Sequence, residues 1–113
     1  MRKLILVCVL CLFVFNTAFA LDLFKKENAN NKEAKELSAQ GKNDKAEELI
    51  EKEIKAYPDS GELLYNLGAV YQKDKKYDKA IENYEKALGK AKTKDLRSKI
   101  FHNMGNAFAD TKK

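Results

Sequence analysis

The 113-residue chain has no tryptophan, one proline, five glycines, one histidine and two cysteines. With Pro58 alone and so few glycines, nothing in the composition is collagen-like or low-complexity, and long uninterrupted helices have room to form. Both cysteines, Cys8 and Cys11, lie in the first 20 residues, so the rest of the chain can build neither a disulfide staple nor a thiolate metal site. A single histidine, His102, and no cysteine beyond Cys11 leave no set of nucleophile, base and orienting group. The sequence therefore reads as a non-enzyme that needs no cofactor and no metal.

What is present divides sharply. Sixteen of the first 20 residues are apolar, against 34 of the other 93, so the 44% hydrophobic content describes two different segments. Arg2 and Lys3 open the chain, Leu4 to Phe15 is an unbroken apolar run, and Ala18-Phe19-Ala20 has the small-x-small pattern of a signal-peptidase site. Residues 1–20 are read as a signal peptide cleaved after Ala20, exporting the body to the periplasm or cell envelope. The alternative is an uncleaved anchor, for which a span of about 20 apolar residues is needed. Either way the body lies outside the cytoplasm, so nucleic acid is not an expected partner, and a membrane is one only if the signal stays.

Charge is uneven along the body. Residues 27–60 carry 6 lysines against 9 acids, residues 61–94 carry 8 against 5, and residues 95–113 add a further excess of two positive charges. Most of these residues, Glu47, Glu48, Glu51, Lys52 and Lys55 among them, sit at i, i+4 spacing and read as solvated helix faces. The basic second half, with Lys73, Lys75, Lys76, Lys79, Lys90, Lys92 and Lys94, leaves open the binding of an acidic envelope polymer.

The body repeats itself. Aligning Gly68 with Ala34, Tyr71 with Leu37, Ala80 with Ala46 and Tyr84 with Ile50 gives a constant offset of 34 residues. Leu64, Leu67, Gly68 and Tyr71 share one face of a helix, and Ala80, Tyr84 and Ala87 share one face of the next. Small residues at Gly68 and Ala80 allow the two axes to approach. The pattern Leu67-Gly68-x2-Tyr71 followed by Ala80-x3-Tyr84-x2-Ala87 resembles the tetratricopeptide repeat, with Leu64 where that family has tryptophan. Residues 27–60 resemble a degenerate copy in which Ala34, Leu37, Gly41, Ala46, Ile50 and Pro58 fall on the motif while Asn30, Glu33 and Glu53 depart from it. Phe101, Met104, Gly105 and Phe108 repeat Leu64, Leu67, Gly68 and Tyr71 at an offset of 37, which places three extra residues in a loop between Gly89 and Asp95. The run from Phe101 to Phe108 also looks like repeat proteins of bacterial aerotolerance (Bat) operons.

The resemblance implies an all-α solenoid of antiparallel helix hairpins, about two and a half repeats long, preceded by the signal-peptide helix. Its parts are a lead-in at 21–26, a degenerate repeat at 27–60, a repeat at 61–97 and the first helix of a truncated third repeat at 98–113. Helices are expected at about 27–40, 43–56, 60–73, 77–90 and 95–110, with the first ended by Gly41 and the third opened by a capping box of Asp59 and Glu62. Leu23 and Phe24 are expected to pack on the first repeat or to stay loose.

Such proteins bind other proteins or peptides in the concave groove lined by the first helix of each repeat. Carried over by position, the groove holds Asn28, Asn31, Lys32 and Lys35, then Glu62, Tyr65, Asn66, Ala69, Gln72 and Lys73, then Lys99, His102, Asn103 and Asn106. Some members clamp a peptide's terminal carboxylate there with lysine and asparagine; Asn66 and Lys99 match that arrangement, while Asn31 and Asn103 replace a lysine and an arginine. The unfinished third repeat is expected either to be a fragment of a longer repeat protein or to be completed by a partner on Gly105 and Phe108. The sequence thus points to an exported adaptor or scaffold, with a membrane-anchored accessory subunit as the alternative.

Overall fold

The computed structural model describes the backbone of residues 1–113 and all side chains except those of residue 15 and residues 23–28. The expected packing of Leu23 and Phe24 and the groove position of Asn28 lie outside the described side chains. The chain forms five helices: α1 (Arg2–Ala39), α2 (Asn43–Ala56), α3 (Gly61–Lys73), α4 (Tyr77–Lys90) and α5 (Lys94–Thr111). Each packs on its neighbours in sequence, and α3 also touches α1 and α5, so the first helices of successive repeats line one side. This is an all-α stack of helix hairpins.

The first difference from expectation is the length of α1. It runs unbroken for 38 residues, about 57 Å at 1.5 Å per residue, and absorbs the apolar segment and the lead-in at 21–26. No proline or glycine interrupts it, so no backbone feature forces a stop before Gly41. There the chain turns in a left-handed cap. Gly41 has φ +77°, its N–H donates to the carbonyl of Ser38 at 3.0 Å, and the N–H of Lys42 donates to that of Leu37 at 2.9 Å. One period later Lys75 holds the same position with φ 59°, and its neighbours repeat the pair of bonds, Lys75 to Gln72 at 3.0 Å and Lys76 to Tyr71 at 2.9 Å. The backbone of the hairpin turn is therefore conserved between the two repeats although glycine is not.

The entry to α3 also differs. Asp59 and Glu62 form no capping box; Ser60 is the N-cap, and its hydroxyl accepts from the N–H of Leu63 at 3.3 Å. Asp59 is instead drawn outward to Lys90, 2.8 Å away. The three extra residues near position 91 likewise do not make a longer loop. The linker is only residues 91–93, and the surplus winds into an additional turn at the start of α5, capped by the Thr93 hydroxyl accepting from the N–H of Leu96 at 3.2 Å. A capped turn satisfies backbone groups that an extended loop would leave to water.

The core threads between the hairpins. Ala34, Ala46, Ile50, Leu64, Leu67, Tyr71, Ala80, Tyr84 and Ala87 are buried, as are Leu63, Val70, Ile100 and Ala107, and Leu37 and Met104 pack half-buried against them. Leu63 and Ile100 are 37 residues apart, as are Val70 and Ala107, so α3 and α5 bury the same face. Phe101, Gly105 and Phe108 differ from the packing role expected of them. Phe101 and Phe108 remain 58% and 48% exposed, and a Cβ built on Gly105 meets nothing within 4 Å, because among the described residues none packs on that side of α5. Glu53, off the motif, is nevertheless buried on α2 and accepts a 2.5 Å bond from the side-chain amide of Asn30, another of the three departures from the pattern.

Candidate functional site

An open groove of about 1270 Å³ runs along the side formed by α1, α3 and α5. Ten of the fourteen groove residues expected from the sequence line it: Asn31, Lys35, Glu62, Tyr65, Asn66, Ala69, Gln72, Lys73, Lys99 and Asn103. His102 and Asn106 do not; they lie exposed on α5 and pair with each other at 3.3 Å. Lys32 also points elsewhere, exposed beside Glu36.

The amides of the groove have a different role from the one the resemblance implies. The side-chain amide of Asn66 donates to Asn31 at 3.4 Å, and that of Asn103 donates to the Tyr65 hydroxyl at 3.0 Å. Asn31 and Tyr65 are one 34-residue period apart and Asn66 and Asn103 are 37 apart, so the two bonds are the same joint between first helices, made twice. Asn66 and Asn31 are both buried. These residues fix the spacing of α1, α3 and α5 and so shape the groove floor. Gln72 is similarly engaged, accepting from the Tyr84 hydroxyl at 2.8 Å. Burial pushes that hydroxyl up to about 12. The Tyr65 and Tyr84 rings lie 5.9 Å apart behind the floor.

The charged walls divide into paired and unpaired groups. Lys99 is bonded to Asp95 at 3.0 Å, which raises the lysine above its ordinary value, with Tyr65 and Glu62 adding to the effect. Lys90 holds Asp59 at 2.8 Å and keeps that carboxyl below its ordinary range. Lys99 is thus occupied, and the carboxylate clamp that it and Asn66 suggested is not assembled. Among the described residues, Lys35, Lys73 and Lys92 line the groove without a carboxylate in ion-pair range. No buried side-chain polar atom among the described residues lacks a partner. The groove thus offers amide, hydroxyl and ammonium groups to a solvated chain, rather than a desolvated reactive group.

Sequence reasoning missed the groove's edges. Residues 57–60 of the α2–α3 turn with Gly61 at the start of α3, and Lys92 of the next linker with Asp95 and Leu96 in the first turn of α5, form its walls. No local signal marks them; Pro58 shows that a turn is there but not that it closes a groove.

One acidic cluster lies away from the groove. Carboxylate oxygens of Asp44, Glu47 and Asp74 fall within 4.8 Å of one another. The Lys76 ammonium sits among them, 3.0 Å from Asp74 and 3.2 Å from Glu47, and both hold it well above the ordinary lysine range. Asn43 adds a 3.4 Å bond to Asp74, so the cluster is a tie between the turns of successive hairpins. Stacked helix hairpins of 34-residue period, joined by a recurring bond between first helices, find their counterpart in known proteins: residues 31–95 match the tetratricopeptide repeat family. That match covers more than half of the chain, and the protein belongs to this family.

Proposed function

We propose that this protein is an exported, non-catalytic adaptor of the periplasm or cell envelope whose groove receives an extended segment of another protein. Tetratricopeptide repeats mediate protein–protein interaction, and the repeat is a scaffold without catalytic groups of its own. The observation that carries the reading is the preformed groove of about 1270 Å³, along which Lys35, Lys73 and Lys92 have no carboxylate in ion-pair range among the described residues. An extended peptide leaves its backbone donors and acceptors unpaired, and its carboxylates can meet the lysines. The finer form of the proposal, supported by the likeness of Phe101–Phe108 to aerotolerance-operon repeat proteins, is a role beside membrane-bound components.

A second reading rests on a separate observation. Arg2–Asp22 is helical and apolar enough to cross a membrane, and α1 carries it without a break into the first repeat. An uncleaved segment would make the protein an anchored accessory subunit, its repeats held close to the membrane by a stiff connection.

Intact mass of the natively expressed, C-terminally tagged protein, combined with co-purification, tests both. A chain beginning at Leu21, together with a specific protein retained by the wild type and lost with Lys35→Glu/Lys73→Glu, is expected. An intact Met1 form in the membrane selects the anchored subunit. A partner retained equally by the groove variant removes the groove from the proposal.

A further inference from the structure

Charge is unevenly placed around the groove, and the register of the helices shows where. As first helices of successive hairpins, α1 and α3 run parallel, and the bond between Asn66 and Asn31 fixes their register. Lys35, four residues beyond Asn31, therefore comes level with Val70, within about one turn of Lys73 at the end of α3. Glu62 lies at the other end of α3, level with Lys99 on α5 at the offset of 37. A Cβ on Gly61 would meet the backbone of Lys90 and Ala91 at 3.0 Å, so the α4–α5 linker borders that end as well.

The lip at the start of α3 is balanced. Lys90, Lys92 and Lys99 line it together with Asp59, Glu62 and Asp95, and two ion pairs form among them, Lys90 with Asp59 at 2.8 Å and Lys99 with Asp95 at 3.0 Å. The opposite lip is positive. Lys35 and Lys73 line it without a carboxylate in ion-pair range among the described residues. Asp110, level with Lys73 on α5, is 3.6 Å from Lys113. Exposed charges act over about 8 Å at physiological salt, so a ligand meets the local sign of each lip rather than the sum over the groove.

Two cations on neighbouring helices select a particular anion. Packed helices hold their axes about 8–10 Å apart, and alternate side chains of an extended chain point the same way about 7 Å apart. Acidic side chains at i and i+2 thus reach both lysines together, whereas a chain terminus presents its two oxygens at one point. The neutral donors of the floor that would cradle a terminus are engaged, the amides of Asn66 and Asn103 with Asn31 and Tyr65. We propose that the groove takes an internal segment of its partner with an acid-x-acid sequence, the two carboxylates seated on Lys35 and Lys73. This rests on the groove reading above and adds the chemistry and placement of the ligand.

The test uses the natively expressed full chain with a photoreactive benzophenone amino acid in place of Ala69, between the lips, and the adduct is mapped by mass spectrometry. A second reporter at the exposed Glu62 serves where Ala69 tolerates the group poorly. Adducts within about three residues of an acid-x-acid pair, away from the partner's C-terminus, are expected. Lys35→Glu/Lys73→Glu should lower their yield at least tenfold and Lys92→Glu less than twofold, with the circular dichroism melts of both variants retained. Adducts on a segment without such a pair, adducts at a C-terminus, or equal effects of the two lips overturn the inference and leave the groove reading standing. Absence of adducts from both reporters removes the groove reading, and the inference with it.

Discussion

Gly68 of α3 and Tyr84 of α4 compete for one space: a Cβ on Gly68 would lie 2.6 Å from Cε1 and 2.7 Å from Cδ1 of the tyrosine ring. The ring is fully buried, and its hydroxyl is fixed by Gln72 at 2.8 Å, so it cannot swing aside without losing that bond. The close approach of the two helices in the central repeat thus depends on a missing methyl group.

Gly68→Ala should destabilise the protein by about 1–3 kcal/mol despite alanine's better helix propensity, because the ring or the helix axis must move in a packed core. Gly105→Ala, at the matching position of α5, meets open space and should stabilise by about 0.5–1 kcal/mol. Urea denaturation of the two variants measures both, and changes of the same sign would contradict the difference in packing described between α3 and α5.

The two hairpin turns predict another pair of opposite effects. Lys75 holds φ 59° with a side chain that disfavours it, so Lys75→Gly should raise stability by about 0.5 kcal/mol, the left-handed penalty less glycine's greater chain entropy. Gly41→Ala should lower it by about 1 kcal/mol although the space around Gly41 is open. Thermal melts of the two single variants suffice.

Alkaline pH should unfold the protein through Tyr84. Burial raises its phenol from 10.0 to about 12 in the folded state, so the fold favours the neutral form. That contribution is complete below pH 10 and is lost as the pH rises towards 12, amounting to about 2 kcal/mol at most. Tyr71, raised by burial and by its bond to Glu51, acts in the same direction. The melting temperature should fall between pH 9 and 11.5, and by clearly less in Tyr84→Phe; an equal fall in that variant would assign the alkaline loss to other groups.

Asn30 and Glu53 should behave as a unit. Asn30→Leu leaves the buried Glu53 carboxylate without its amide donor and should cost about 1–3 kcal/mol, while Asn30→Leu/Glu53→Leu should lie near the wild type. A double-mutant cycle reads the coupling, and additive single effects would show that the bond contributes nothing.

Much of the fold was legible because the helix periodicity and the 34-residue offset are local patterns that need no tertiary information. The bounds of α2 and α4 follow directly from them. The N-cap of α3 was misplaced by one residue because Asp59 and Ser60 are both good caps, and the choice was made by Lys90, 31 residues away, which takes Asp59. The groove's composition could be read, but its engagement could not. Asn66 looks like a free ligand in the sequence, and only the neighbouring helix shows that Asn31 already holds it, whereas the Asp95–Lys99 pair lies at i, i+4 spacing within α5 and is a local feature.

By itself the sequence determined the repeat unit, the apolar faces and the family, since an amphipathic hairpin repeated at fixed spacing can bury its faces only by stacking on its copies. Tertiary structure alone decided which equivalent positions differ in environment. Gly68 and Gly105, or Tyr71 and Phe108, are alike in motif, yet the first of each pair is covered and the second open. Burial belongs to the neighbour that packs on a residue, and a repeat pattern states what each helix presents without stating what lies against it.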